Sequence, residues 1–115
     1  DEIIASADGL VISLAEHNGS YSTAFKNAYD WLSRINQKVW KNKPMLLMAT
    51  SPGGRGGATV LASAKASFPY LGANVVADFS LPSFHDNFIE NKLSNEEMST
   101  VFDEIINLLQ DAFYV

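Results

Sequence analysis

Two short stretches hold most of the residues able to do chemistry. Residues 15–31 read AEHNGSYSTAFKNAYDW, and residues 50–57 read TSPGGRGG. The first groups Glu16, His17, Asn18 and Tyr21 around Gly19, directly after an apolar run. Glu16 reads either as a general base or, more commonly, as a solvated carboxylate at a strand end. Tyr21, Trp31 and Trp40 are the aromatics able to stack on a ligand ring, but Trp31 falls on an apolar helix stripe and is expected in the core. Trp40 is expected in loop packing. The second stretch contains four of the chain's seven glycines, together with Ser51, Pro52 and Arg55. Glycine permits positive φ and lets a ligand approach the backbone closely. Arg55 is suited to an anionic group, although a lone loop arginine is usually just solvated.

Several chemistries lack their residues. The glycine-rich loop carries no Gly-Lys-Ser or Gly-Lys-Thr and no GxGxxG pattern, so a Walker-type or dinucleotide fingerprint is not expected. No GxSxG occurs, which disfavours an α/β-hydrolase nucleophile. His17 and His85 are isolated, with no cysteine or carboxylate at metal-like spacing, and no metal site is expected.

The elements that must position these loops follow from periodicity. Residues 9–15 and 45–50 are continuous apolar runs, the pattern of strands buried on both faces. Residues 74–81 read as a third strand, bent or split at Asp78. A helix capped by Ser20 or Ser22 follows the first strand, with Ala24, Phe25, Ala28, Trp31, Leu32 and Ile35 on one stripe. A second helix carries Val60, Leu61, Ala64, Phe68 and Leu71, loosens at Pro69 and ends on Gly72. After a loop over 82–93, Ser94 and Glu97 form a capping box for a third helix with Met98, Val101, Phe102, Ile105, Leu108, Leu109 and Ala112 on one side. Strands alternating with amphipathic helices imply a parallel sheet with helices on both faces. In such sheets ligands bind beyond the carboxyl ends of the strands, where both polar loops lie.

Composition bounds the rest. The chain has 115 residues, 47% hydrophobic and 18% charged, enough for one domain with one core. A net charge of −5 without a basic patch argues against a nucleic-acid surface. No segment is long and apolar enough for a membrane span. No cysteine is present, and no signal-peptide pattern, which together point to a reducing, cytoplasmic compartment. The opening Asp-Glu-Ile-Ile-Ala-Ser-Ala-Asp-Gly reads as a helix end running into a strand, so residues 1–115 are expected to be part of a longer protein.

At its two loops the sequence resembles the NADPH-dependent FMN reductase family. The family pattern is roughly P-E-Y-N-G-S-x-P-x-x-L-K-N-A-x-D-W after one strand and S-P-G-G-x-G-G after the next. Ala15 and His17 stand where the family commonly has Pro and Tyr, and Ser22 replaces the usual Pro. The resemblance implies a flavodoxin-like fold: a three-layer parallel sheet, incomplete here, with three strands and three helices over residues 1–115. It implies FMN as cofactor, with Glu16, His17, Asn18, Gly19, Ser20, Tyr21, Ser51, Pro52, Gly53, Gly54, Arg55 and Gly56 around the isoalloxazine ring. Backbone groups of His17, Asn18 and Gly19 would match the pyrimidine edge, and Ser51, Gly53 and Gly54 would close from the other loop. The implied activity is hydride transfer from NAD(P)H to flavin N5, then to a quinone, flavin, azo or metal-oxyanion acceptor. A flavodoxin-like electron carrier or flavin-binding module without NAD(P)H turnover is the alternative. By the same resemblance the phosphate loop lies N-terminal to residue 1, a homo-oligomer is expected, and the 83–88 loop with Phe84 and His85 borders a substrate pocket or simply tucks Phe84 inward.

Overall fold

The computed structural model describes residues 1–113, so the last two residues of the expected 1–115 domain lie outside the described residues. A short helix α1 (Glu2–Ser6) leads into strand β1 (Leu10–Leu14), then a hairpin of β2 (Glu16–His17) and β3 (Ser20–Tyr21). Helix α2 (Thr23–Ile35), strand β4 (Pro44–Thr50), helix α3 (Ala58–Ser67) with a 3-10 turn (Phe68–Leu71), and strand β5 (Asn74–Leu81) follow. A short α4 (Phe84–Asn87), a hairpin of β6 (Phe88–Ile89) and β7 (Lys92–Leu93), and the long α5 (Glu96–Ala112) complete the order.

The main sheet is parallel, in the order β1-β4-β5. Alternation along β4 sends its side chains to opposite layers. Met45, Leu47 and Ala49 pack with Tyr29 of α2 and Val60, Leu61 and Ala64 of α3, whereas Leu46 packs with Phe79, Leu81 and the α5 residues Ile105 and Leu109. Helices therefore cover both faces of a flavodoxin-like sheet, and β4 is its buried centre.

β1 is not buried on both faces. Leu10, Ile12 and Leu14 join the α2–α3 layer, while Val11 and Ser13 on the other side are exposed. α5 lies over β4 and β5, leaving that face of β1 uncovered among the described residues. β5 is continuous through Asp78, contrary to the expected break. The Asp78 carboxylate meets Lys65 Nζ at 2.9 Å, so the charge finds a partner without interrupting the strand. The irregularity falls two residues earlier, where Met45 pairs with Val75 but Leu46 pairs with Ala77, which leaves Val76 as the extra residue of a bulge.

Trp31 is also displaced from its expected place: it is 68% exposed, as is Ile35. Two apolar stripes run along α2, and the sheet takes the one containing Phe25, Tyr29 and Leu32. The reason is the aromatic cluster beneath it. Phe68, fully buried, stands 5.1 Å from Tyr29 and 5.0 Å from Trp40, ring centre to ring centre. Trp40 is thus a core residue, beyond reach of an external ring. Among the described residues the buried Tyr29 hydroxyl and Trp40 indole N–H have no partner of good hydrogen-bond geometry, and burial, outweighing the nearby Trp40 N–H, pushes the Tyr29 pKa above its ordinary value.

The helix ends show which polar residues act as caps. Ser22 Oγ accepts from Phe25 N at 3.1 Å and starts α2. The α3 helix tightens to 3-10 geometry at Pro69 and stops at Gly72 (φ 89°). α5 is capped by Asn95, whose Oδ1 accepts from Met98 N at 3.1 Å, not by Ser94. Ser94 instead donates to the Asp86 carbonyl, closing the base of the β6–β7 hairpin that replaces the expected 82–93 loop.

Candidate functional site

The first loop, expected as a polar strand-end loop running into a helix, is itself a hairpin. Glu16 pairs with Tyr21 and His17 with Ser20, and the turn between them is Asn18 (φ 51°) and Gly19 (φ 80°). Positive φ at both central positions is the type I′ geometry whose twist matches an antiparallel pair, and Asn-Gly is its favoured sequence. His17, Asn18, Gly19 and Ser20 are exposed at its tip. Tyr21 is turned the other way. Its ring lies 5.5 Å from Phe25 and 6.2 Å from Phe68, so it anchors the hairpin in the aromatic cluster and does not offer a stacking face to the loop surface.

The second loop leaves β4 and is held from below by the end of β5 and the residues just after it. Thr50 Oγ1 donates to the Leu81 carbonyl at 2.6 Å. The Ser51 carbonyl accepts from Phe84 N at 3.0 Å, and the Gly53 carbonyl accepts from Ser83 N at 2.8 Å. Ser80 Oγ donates to the Gly56 carbonyl at 2.8 Å. The four loop glycines then divide into two kinds. A β-carbon on Gly56 would meet Pro82 N at 2.8 Å, and one on Gly57 would meet Ala49 Cβ at 2.7 Å; both residues have positive φ. Gly53 and Gly54 have ordinary φ and open space around the β position. Packing explains the first pair. Nothing in the chain's own packing requires the second, whose N–H groups form no hydrogen bond among the described residues.

The two loops meet at the start of α3. Glu16 Oε1 accepts from Val60 N at 2.7 Å, across 44 residues of sequence. A β-carbon on Gly19 would stand 4.0 Å from Thr59 Cγ2, and Arg55 Nη2 donates to Thr59 Oγ1 at 2.8 Å. Glu16, Gly19, Arg55 and the α3 start are therefore one neighbourhood, with Gly53 and Gly54 on the same loop and Pro52 exposed beside them. Trp31, on the outer stripe of α2, is not among them. Phe84 tucks inward and stacks on Phe88 at 5.2 Å, while His85 is exposed. Thr59 and Ser80 are the additions that sequence reasoning missed. Neither carries a local signal, because each acts through a tertiary contact with the glycine-rich loop.

On the opposite face, at the carboxyl ends of β1 and β4, lies an apolar cavity of about 310 Å³. Met48, Phe79, Leu81, Phe84, Phe88 and Phe102 line it, and Ser13 of β1 stands at its edge. Among the described residues no helix is long and apolar enough to cross a membrane.

A parallel sheet with helices on both faces, and two strand-end loops converging on one helix start, define a flavodoxin-like α/β protein. Residues 1–86 match the family described as NADPH-dependent FMN reductase, and the chain belongs to that family. It is 37% identical over 92 residues to a quinone reductase of Escherichia coli strain K12, covering 80% of this chain and 47% of that protein. To an NADPH azoreductase of Bacillus sp. strain OY1-2 it is 35% identical over 74 residues, covering 64% and 40% respectively. Among solved structures it is similar to FerB, a flavoenzyme NAD(P)H:(acceptor) oxidoreductase from Paracoccus denitrificans, with a TM-score of 0.77 and 26% identity. That match covers 98% of this chain and 64% of FerB. The chain spans about half the length of the curated relatives it matches.

Proposed function

We propose that this chain forms the ring side of an FMN site in an NAD(P)H-dependent oxidoreductase. The observation that carries the proposal is the pair of solvent-open glycines, Gly53 and Gly54, on a loop tied to the Asn18–Gly19 hairpin at the α3 start. At those glycines themselves a planar ring meets backbone and no side chain, and the exposed turn beside it supplies peptide N–H and C=O groups. FMN, when bound, supplies the hydride chemistry between NAD(P)H and an acceptor. The protein's part is to hold the ring and to aim donors at it, since fixed dipoles stabilise charge that develops on reduction.

Residues 16–20 and 51–56 are the proposed contacts, with Glu16 and Tyr21 contributing backbone only, because the Glu16 carboxylate is committed to Val60 N and the Tyr21 ring to the core. Arg55, steadied by Thr59, is the cation nearest the site for an anionic part of either nucleotide. The relatives' names (quinone reductase, azoreductase) support a quinone or azo acceptor. We place the phosphate side of the cofactor in chain outside residues 1–115 of the same flavodoxin-like domain, working in the cytoplasm as a homo-oligomer. The open edge of β1 and the greater length of the relatives support the further chain, and the exposed Trp31 and Ile35 support the homo-oligomer. Steady-state oxidation of NADPH and NADH by the complete protein, with FMN and an added quinone, tests the reading. Turnover is expected. A complete protein that holds FMN yet oxidises neither nucleotide would instead be an electron carrier.

A further inference from the structure

We infer that Glu16 is a positioning residue that sets the gap between the two loops, an inference that rests on the flavin reading above. The need for it arises at Gly57. That residue is the N-cap of α3, at φ 75°, and a β-carbon there would meet Ala49 Cβ at 2.7 Å. The position therefore has to be glycine, and glycine has no side chain with which to cap. A helix start leaves its first N–H groups without partners unless something outside the helix accepts from them. The first turn of α3 contains no acidic residue of its own.

Glu16 fills this role from the other loop. Its Oε1 accepts from Val60 N, the third residue of α3, at 2.7 Å. A carboxylate at a helix N-terminus is favoured by the peptide dipoles as well as by the hydrogen bond, and such charge-assisted bonds are roughly twice as strong as neutral ones. The other end of the link is equally constrained. Glu16 pairs across the hairpin with Tyr21, whose ring is fixed between Phe25 and Phe68. The link thus joins a hairpin anchored in the core to a helix start anchored on β4, and the Asn18–Gly19 tip and Gly53–Gly54 lie on its two sides. With Oε1 given to Val60 N, Glu16 is assigned to position rather than to the general-base role its sequence position allows. Its function is distance.

The test uses the complete protein carrying these residues, with FMN as probe. Glu16→Ala removes the acceptor, Glu16→Asp shortens the reach by one methylene, and Glu16→Gln keeps an oxygen that can accept from Val60 N. FMN binding is expected to weaken about tenfold or more in the Ala and Asp variants, the equivalent of about 1.4 kcal/mol, and to stay within about threefold in Gln. The visible absorption band of bound flavin is expected to shift toward that of free flavin in Ala and Asp and to keep its position in Gln. Amide exchange at Val60 should quicken in Ala and Asp without any flavin present. Should Glu16→Ala fail to fold, the Asp and Gln pair decides. Wild-type affinity and spectrum in the Ala or Asp variant overturns the inference and leaves the flavin reading standing. So do equal losses in all three variants that merely track a fall in the thermal midpoint. A wild-type protein that binds no FMN overturns the flavin reading itself, and this inference with it.

Discussion

Gly57 cannot carry a β-carbon where it stands, whereas Gly53 can, and the difference separates a glycine that packing requires from one that packing does not explain. At Gly57 a side chain would combine left-handed backbone strain with a 2.7 Å approach to Ala49. Gly57→Ala is expected to destabilise the protein by about 2–4 kcal/mol, as overpacking and positive-φ strain together imply. Gly53→Ala faces open space at an ordinary φ, and is expected to leave stability unchanged or raise it by up to about 1 kcal/mol through a stiffer unfolded chain. If the flavin ring rests against this loop, the same substitution weakens FMN binding in the complete protein. Urea unfolding and flavin titration of both variants check the pair. A destabilised Gly53→Ala, or one that binds FMN as wild type does, would remove the argument for ligand contact there. Sequence alone located both glycines but could not divide them, because Ser80, Pro82 and Ala49 reach the loop only through the fold. Glu16 shows the same limit, since its partner Val60 is 44 residues away.

Among the elements, the three main strands and the three long helices were legible from apolar runs and 3.6-residue stripes, although the run over β1 overstated its burial. The orientation of α2 was not. It carries apolar residues on two adjacent stripes, and only the aromatic cluster under Phe68 selects Tyr29 over Trp31. The short hairpins escaped for a different reason: two-residue strands are too brief for periodicity, although Asn18-Gly19 and Glu90-Asn91 both adopt the positive φ of a tight turn. Caps were legible to within one residue. Ser94 and Asn95 are both good N-caps by type, and the hairpin resolves the choice by taking the Ser94 hydroxyl for the Asp86 carbonyl. Asn95→Ala is therefore expected to cost about 1 kcal/mol by loss of the bond to Met98 N. Ser94→Ala, which removes an exposed hydrogen bond and no cap, should stay within about 0.5 kcal/mol. Denaturant midpoints measured side by side distinguish them, and the reverse order would restore the Ser94–Glu97 capping box.

For the molecule as a whole, the uneven cover of β1 connects the fold to the proposed site. One edge of β1 is unpaired among the described residues, Val11 is 54% exposed on its open face, and the apolar cavity begins beside Ser13. An unpaired parallel edge next to apolar surface is an arrangement that further chain normally covers. The relatives have the length to do so, since this chain spans about half of theirs. In an open parallel sheet a cofactor lies across the ends of several neighbouring strands, so loops from β1 and β4 meet only part of it. Ring contacts by themselves must also offset the lost freedom of the whole nucleotide, which leaves little net affinity. The polypeptide of residues 1–115 is therefore expected to leave the fluorescence of micromolar FMN essentially unquenched. A longer chain that pairs the β1 edge should quench it, and should protect the β1 amides from exchange as it does so. Full quenching by residues 1–115 alone would mean that the two loops suffice for binding, and the phosphate would then have to be held by residues already described, with Arg55 the first to substitute.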